Sequence, residues 1–151
     1  MKLVDLWMRD ITSICGLPII GFIFLFLIFF NKIILAKEFI VALIISEILI
    51  WGIRFFYFRQ RPYGKKDGFK NLYERIDESS FPSIHASRAF IIAFVLSQGL
   101  GIYMKILFWS IALLICVSRI YLKRHHISDV VVGAILGLII SYIVTIFGGF
   151  I

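Results

Sequence analysis

The sequence predicts an all-α integral membrane bundle of about five transmembrane helices with a short interfacial helix. Three observations carry that prediction. Hydrophobic residues make up 61% of 151 positions, and the mean hydropathy is +0.99. A water-soluble chain of this size has too little interior to hide so much apolar side chain, so lipid is the expected solvent. The apolar residues are also gathered into long runs, and small residues recur along two of those runs at helical spacing.

A helix needs about 20 apolar residues to cross about 30 Å of hydrocarbon. Met1 to Thr12 mixes Leu3, Leu6, Trp7 and Ile11 with Lys2, Asp5 and Arg9, the pattern of a helix lying at the membrane surface. Those charges, and the lack of a small-residue cleavage site, argue against a cleaved signal there. Five stretches then have spanning length: Ile11–Phe30, Phe39–Phe58, Ser83–Gly99, Lys105–Leu122 and Val130–Ile151, with a turn at Gly99–Met104. Between the second and third lies the one long polar connection, Arg59–Ser80. Within it Phe69, Leu72, Tyr73 and Ile76 fall on one helical face, which predicts the short interfacial helix. Ala89, Ala93, Ser97 and Gly101 in the third span, and Gly133, Gly137 and Ser141 in the fifth, are read as packing ladders, because small residues let helix backbones approach in lipid. Residues 1–151 contain no linker or repeat and are read as one membrane-embedded domain. Five spans place the N-terminus, the 59–80 loop and the Lys123–Asp129 loop on one face of the membrane.

The formal net charge is +7. Nucleic acid is an unsuitable partner, because the cations are confined to short stretches between apolar runs; anionic lipid suits them better. Cys15 and Cys116 lie inside apolar runs and are read as small packing residues. Nothing in the sequence specifies an oligomeric state.

Three polar clusters stand at helix ends on the shared face: Arg54 with Arg61-Pro62, Pro82-Ser83-Ile84-His85, and Ser118-Arg119 with His125 and Asp129. Ionisable groups at membrane depth are costly and tend to be functional. Ser79 or Ser80 is placed to cap the third span, with Pro82 at its start. The free N–H groups and positive dipole end that follow, with the Ser83 hydroxyl, make an anion site beside His85. His125 and Asp129 are four apart; on a helix the carboxylate accepts the imidazole N–H, fixes its tautomer and leaves the other nitrogen free as a nucleophile. Arg119 offers a guanidinium for bidentate contact with phosphate. Arg54 and Arg61 are seven apart, two turns if the second span continues, so both can face one anion. His126, three residues from Asp129, is an alternative nucleophile. A metal site built from His85, His125, His126 and Asp129 is disfavoured by the neighbouring arginines.

Together these clusters resemble the tripartite signature of the type 2 phosphatidic acid phosphatases, also called lipid phosphate phosphatases, in its bacterial membrane branch. That signature runs Lys, six residues, Arg-Pro; then Pro-Ser-Gly-His; then Ser-Arg, five residues, His, three residues, Asp. Residues 54 to 129 reproduce its spacing. Arg54 stands where the family has Lys, Ile84 stands where it has Gly, and one span of the family's usual six is missing before the first motif.

The resemblance implies a metal-independent and cofactor-free lipid phosphatase. His125 would be the nucleophile forming a phosphohistidine, Asp129 its orienting partner, and His85 the acid for the leaving oxygen. Arg54, Arg61, Ser83, the Ile84 N–H and Arg119 would hold the phosphate. Arg88, Lys65 and Lys66 are candidate substrate contacts, and Lys70 is read as a headgroup-surface cation. Glu47 is read as half of an internal ion pair between helices. The implied partner is a membrane lipid phosphate in the bilayer: lipid A 1-phosphate, undecaprenyl diphosphate or phosphatidylglycerol phosphate ahead of phosphatidic acid. The implied place is a bacterial inner membrane with the active site facing the periplasm or exterior, although the density of Lys and Arg on that face would by itself indicate the cytoplasm. From other functional classes, a catalytically silent lipid-binding protein or a small lipid transporter would use the same scaffold.

Overall fold

The computed structural model describes residues 3–63, 68–69 and 71–148. Among these residues the chain is all-helical: α1 (Leu3–Ser13), α2 (Leu17–Phe29), α3 (Ile33–Phe56), α4 (Leu72–Glu78), α5 (Ile84–Leu96), α6 (Ile102–Tyr121) and α7 (Ile127–Gly148). The expected all-helical membrane bundle is borne out.

Among the described residues two helices, or three with a bent pair, meet the length and composition of a span, where five stretches were expected. By length and composition α6 and α7 each suffice to cross a membrane, and α1 with α2 makes a third candidate, bent by 44°. The first expected span is therefore not one rod. It breaks at residues 14–16, where Gly16 precedes α2 and Pro18 occupies its first turn; proline supplies no N–H to continue α1. The break leaves the Cys15 carbonyl without a helical partner, and Arg88 of α5 donates to it at 3.1 Å. α3 is long but carries Glu38, Glu47 and Arg54, with Glu38 and Arg54 turned into the bundle.

α5, of 13 residues, lies at the centre. It packs against α3, α6 and α7, and Ala89, Ile91, Ala93 and Val95 are buried. Side chains turned outward, such as Ile44 and Ile48 of α3, Leu113 of α6 and Ile135 of α7, are exposed and apolar, as lipid requires.

The expected α7 ladder lies in the α5–α7 contact, whereas Gly101 of the other ladder precedes α6, is exposed and has open space around it. A Cβ on Gly133 would strike the backbone of Ser83, and one on Gly137 the backbone of Ser87. Ala89, Ala93, Ser97 and Ser141 are buried too. Hydroxyls cross-link the same core: Ser46 of α3 meets Ser87 of α5 at 2.7 Å, and Thr12 of α1 meets Ser118 of α6 at 2.7 Å.

At the end of the bundle away from these contacts, Gln98 Nε2 donates to Glu38 Oε2 at 3.1 Å and Thr145 Oγ1 donates to the same oxygen at 3.2 Å. This buried polar clamp ties α3, the end of α5 and α7, and satisfies a carboxylate that would otherwise be costly at depth.

Some boundaries move. The interfacial helix occupies Leu72–Glu78 where 69–76 was expected, because Asn71 caps it by accepting the Glu74 N–H at 2.8 Å. The turn before α6 falls at 97–101, with Gly99 at φ +69°, a left-handed conformation that suits glycine.

Candidate active site

The C-terminal ends of α3 and α6, the N-terminal ends of α5 and α7 and the small helix α4 meet at one end of the bundle. Between them lies a cavity of about 420 Å³. Arg54, Arg61, Ile84, His85, Arg88, Arg119 and His125 line it, so residues far apart in the chain converge. Glu47 and Asp77 are the acidic members of its wall, and Leu17, Trp51 and Tyr73 give it an apolar side.

α3 ends at Phe56, and Tyr57 is extended. Arg54 and Arg61 therefore do not sit two turns apart on one helix as the spacing suggested. They reach the cavity separately, both by gripping α4. Arg54 Nη2 donates to the Pro82 carbonyl at 2.8 Å, and Nη1 lies 3.5 and 3.4 Å from the carbonyls of Ile76 and Asp77. Arg61 Nη2 donates to Asp77 O at 2.6 Å and its Nε to Glu78 O at 3.0 Å. The last carbonyls of a helix have no partner within it and carry its negative dipole end. Two guanidinium groups are thus held by backbone. The Trp51 and Tyr73 rings, 5.4 Å apart, add an apolar tie between α3 and α4.

The cap of α5 is Ser83, not Ser79 or Ser80. Its Oγ accepts the Ala86 N–H at 3.4 Å, and its backbone N–H donates to Asp129 O at 3.0 Å. The Ser83 oxygen accepts in that cap, and Ser83 is not among the residues that line the cavity. Ile84 is the first helical residue and lines the wall. Among the described residues the positive-φ non-glycines are Asn31 and Lys123, so Ile84 replaces glycine without backbone strain.

His125 lies in the turn between α6 and α7 and is only 3% exposed. Its Nδ1 is 2.6 Å from the Ser80 carbonyl. A carbonyl only accepts, so Nδ1 carries the proton and Nε2 presents a lone pair. That Nε2 is 3.5 Å from Arg119 Nη2. Burial first, and then the Arg119 guanidinium, push the imidazole down to about 2, against the opposing pull of the Ser80 carbonyl; Arg61 and Arg54 push further down. The ring is neutral at physiological pH.

Asp129 is where the sequence expectation needs correction. It does not bond to His125, which lies before the first residue of α7, so the helical four-residue relation does not hold. Its Oδ2 accepts the His126 N–H at 2.8 Å, closing the first turn of α7. Its Oδ1 pairs with Arg59 Nη1 at 2.6 Å, and the same nitrogen reaches Ser128 Oγ at 2.7 Å. Arg59 is the residue that the sequence reading missed. The signal was available: a buried aspartate needs a cation, and Arg59 heads the loop facing it.

Backbone contacts of Arg59 matter as well. Ser80 N–H donates to Arg59 O at 2.8 Å, the Arg59 N–H to Ser79 Oγ at 3.3 Å, and Ser80 Oγ to Gln60 O at 3.2 Å. This clasp sets the Ser80 carbonyl that holds His125. His126 faces elsewhere, its Nε2 3.2 Å from Gln60 O, and lies outside the cavity lining.

Arg88 pairs with Glu47 at 2.6 Å across α5 and α3, the internal ion pair expected of Glu47, while still lining the cavity. Lys65, Lys66 and Lys70 lie outside the described residues. The four candidate metal ligands do not converge: His126 turns to Gln60 and Asp129 to Arg59.

With this geometry the class is defined. Residues 35–150 match the PAP2 superfamily, and the chain belongs to it. Two solved structures share the fold. The crystal structure of Aquifex aeolicus LpxE is 29% identical with a TM-score of 0.80, over 95% of this chain and 86% of that one. The first transmembrane PAP2 type phosphatidylglycerolphosphate phosphatase from Bacillus subtilis is 25% identical with a TM-score of 0.77, over 100% of this chain and 79% of that one. The expected membership is borne out, and with it the reading of the chain as a membrane lipid phosphatase.

Proposed function

We propose that this protein hydrolyses a phosphate ester or anhydride on a lipid held in the bilayer, through a phosphohistidine at His125. The observation that carries this reading is the disposition of one imidazole. Its Nδ1 proton is spent on the Ser80 carbonyl, so the Nε2 lone pair points at Arg119 in a cavity ringed by guanidinium groups.

A phosphoryl group seated there has its equatorial oxygens among Arg54, Arg61 and Arg119, which neutralise the charge that develops in the transition state. The lone pair of His125 Nε2 forms a bond to phosphorus as the phosphorus–oxygen bond to the lipid breaks. His85, at the start of α5, gives its proton to the leaving oxygen. Water then attacks the phosphohistidine and returns a proton to His85. The phosphorus–nitrogen bond breaks, and inorganic phosphate leaves with His125 neutral again. Asp129 acts by closing the α7 turn that presents His125. The apolar wall of Leu17, Trp51 and Tyr73 suits the first carbons of a lipid chain.

Lipid A 1-phosphate, undecaprenyl diphosphate and phosphatidylglycerol phosphate are the proposed substrates; the Bacillus subtilis neighbour bears the name of the third. We place the protein in a bacterial inner membrane with the cavity facing outward, and a single domain over residues 1–151 supports the whole reaction. Purified protein in detergent and chelator should release inorganic phosphate from at least one of these lipids, and His125→Ala should abolish release. Phosphate release that survives His125→Ala overturns the mechanism. Labelling of a cysteine placed in the 59–80 loop, in intact cells, decides the side.

A further inference from the structure

On the other side of Arg119 lies a second cavity of about 450 Å³, between α1, Tyr63 and the α6–α7 turn. Arg9, Thr12, Tyr63, Arg119, Leu122 and Arg124 line it. Three of those six are arginines and none is an acid, so among the described residues the lining holds no counter-ion of its own. Arg124 is fixed over the Tyr63 ring, 4.9 Å from its centroid. Tyr63 in turn donates to Glu78 at 3.0 Å, and Thr12 is tied to Ser118.

Arg119 belongs to both cavities. It is 8% exposed, its Nη2 faces His125, and its buried Nε has no hydrogen-bond partner among the described residues. A guanidinium presents five N–H donors in a rigid fork and can serve two anions at once. A buried donor left without a partner is costly, so the orphan Nε of Arg119, one of two with that of Arg54 among the described residues, is a donor open to a bound anion. Sharing one arginine also limits how far apart two such anions can be. They must lie within the width of a single guanidinium fork, as phosphates of one headgroup do.

We propose that this second cavity binds a non-scissile phosphate of the substrate, so that the enzyme selects lipids carrying two phosphates close together. The inference rests on the lipid phosphatase reading and names the substrate class within it. The scissile phosphate sits against His125, the second against Arg9 and Arg124, and Arg119 spans them.

The test compares Arg9→Gln, Arg124→Gln and the double variant on two substrate types. Phosphatidylglycerol phosphate and undecaprenyl diphosphate carry two phosphates; phosphatidic acid carries one. Losing a charge-assisted hydrogen bond weakens binding by about tenfold or more, so KM for the two-phosphate lipids should rise by about that factor in the double variant. The same protein should turn over phosphatidic acid with kcat and KM within about twofold of the parent, which also shows that it is folded. Arg124→Lys should recover part of the loss. Equal effects on both substrate types, or none on either, overturn the proposal. So does a matching rise in the inhibition constant of inorganic phosphate, which would mark the cavity as an outlet for the free ion. A parent that cleaves none of these lipids overturns the phosphatase reading itself, and this inference with it.

Discussion

The Arg59 guanidinium lies 2.6 Å from the Asp129 carboxylate, whose side chain is fully buried. The pair joins the head of the loop after α3 to the first turn of α7. Its backbone neighbours hold the Ser80 carbonyl on His125. Arg59→Ala strands a buried charge, a change that typically costs about 3–5 kcal/mol. It should lower the unfolding midpoint in detergent and reduce kcat at least about tenfold, since misplacement of a reacting group by an ångström has effects on that scale. Arg59→Lys should keep most of both. Combining Arg59→Ala with Asp129→Ala should recover stability relative to Arg59→Ala alone, as measured by a double-mutant cycle.

The two adjacent histidines should behave oppositely. His126 makes its side-chain contact with Gln60 O, away from the cavity, so His126→Ala should retain phosphate release within about twofold, in the range of surface substitutions. His125→Ala should eliminate it. Acid-labile, alkali-stable phosphate trapped on the parent by rapid quench should be absent from His125→Ala and present in His126→Ala.

His125 also gives the pH behaviour a sign. Its folded pKa is depressed to about 2, against about 6.5 for a free imidazole. Below about pH 6.5 the unfolded chain binds a proton there that the folded chain does not, so this residue makes stability fall as pH drops, by up to about 1.4 kcal/mol per unit. Its contribution is constant above that range. His125→Gln should flatten the stability profile between about pH 4 and 6.5. A ring-nitrogen NMR titration of the parent should show His125 neutral throughout that window.

Gly133 touches the backbone of Ser83 so closely that no side chain fits. Gly133→Ala should push α7 away from the start of α5, where His85 sits, at a cost of about 1–3 kcal/mol typical of overpacking. Thermal unfolding should show the loss, and activity should fall with it, whereas Gly52→Ala, with open space around it, should leave activity unaffected.

Much of this molecule was legible in its residue order. Apolar runs foretold the rods, and Gly133 and Gly137 foretold a packing face on α7, though not that α5 would fill it. Signature spacing also brought Arg54, His85, Arg119 and His125 to one cavity. What could not be read was which partner each polar group takes. Four-residue spacing between His125 and Asp129 implies contact only on a continuous helix, and α7 begins at Ile127. The Ser80 carbonyl that orients His125 leaves no trace in side-chain identity, because backbone carbonyls are present at every position. Arg59 lies outside the signature and was found only when the buried Asp129 showed its counter-charge. The break between α1 and α2 was hidden because Cys15 to Pro18 sits within an otherwise apolar stretch.

Arg54 and Arg61 take hold of α4 through the carbonyl oxygens of Ile76, Asp77 and Glu78, atoms that every amino acid supplies. The segment is therefore free to drift in composition while its length is under tight constraint. Exchanging an exposed residue such as Leu72 leaves both grips intact. Inserting or deleting a single residue between Leu72 and Pro82 would slide the oxygens past the guanidinium groups and disarm both cations at once.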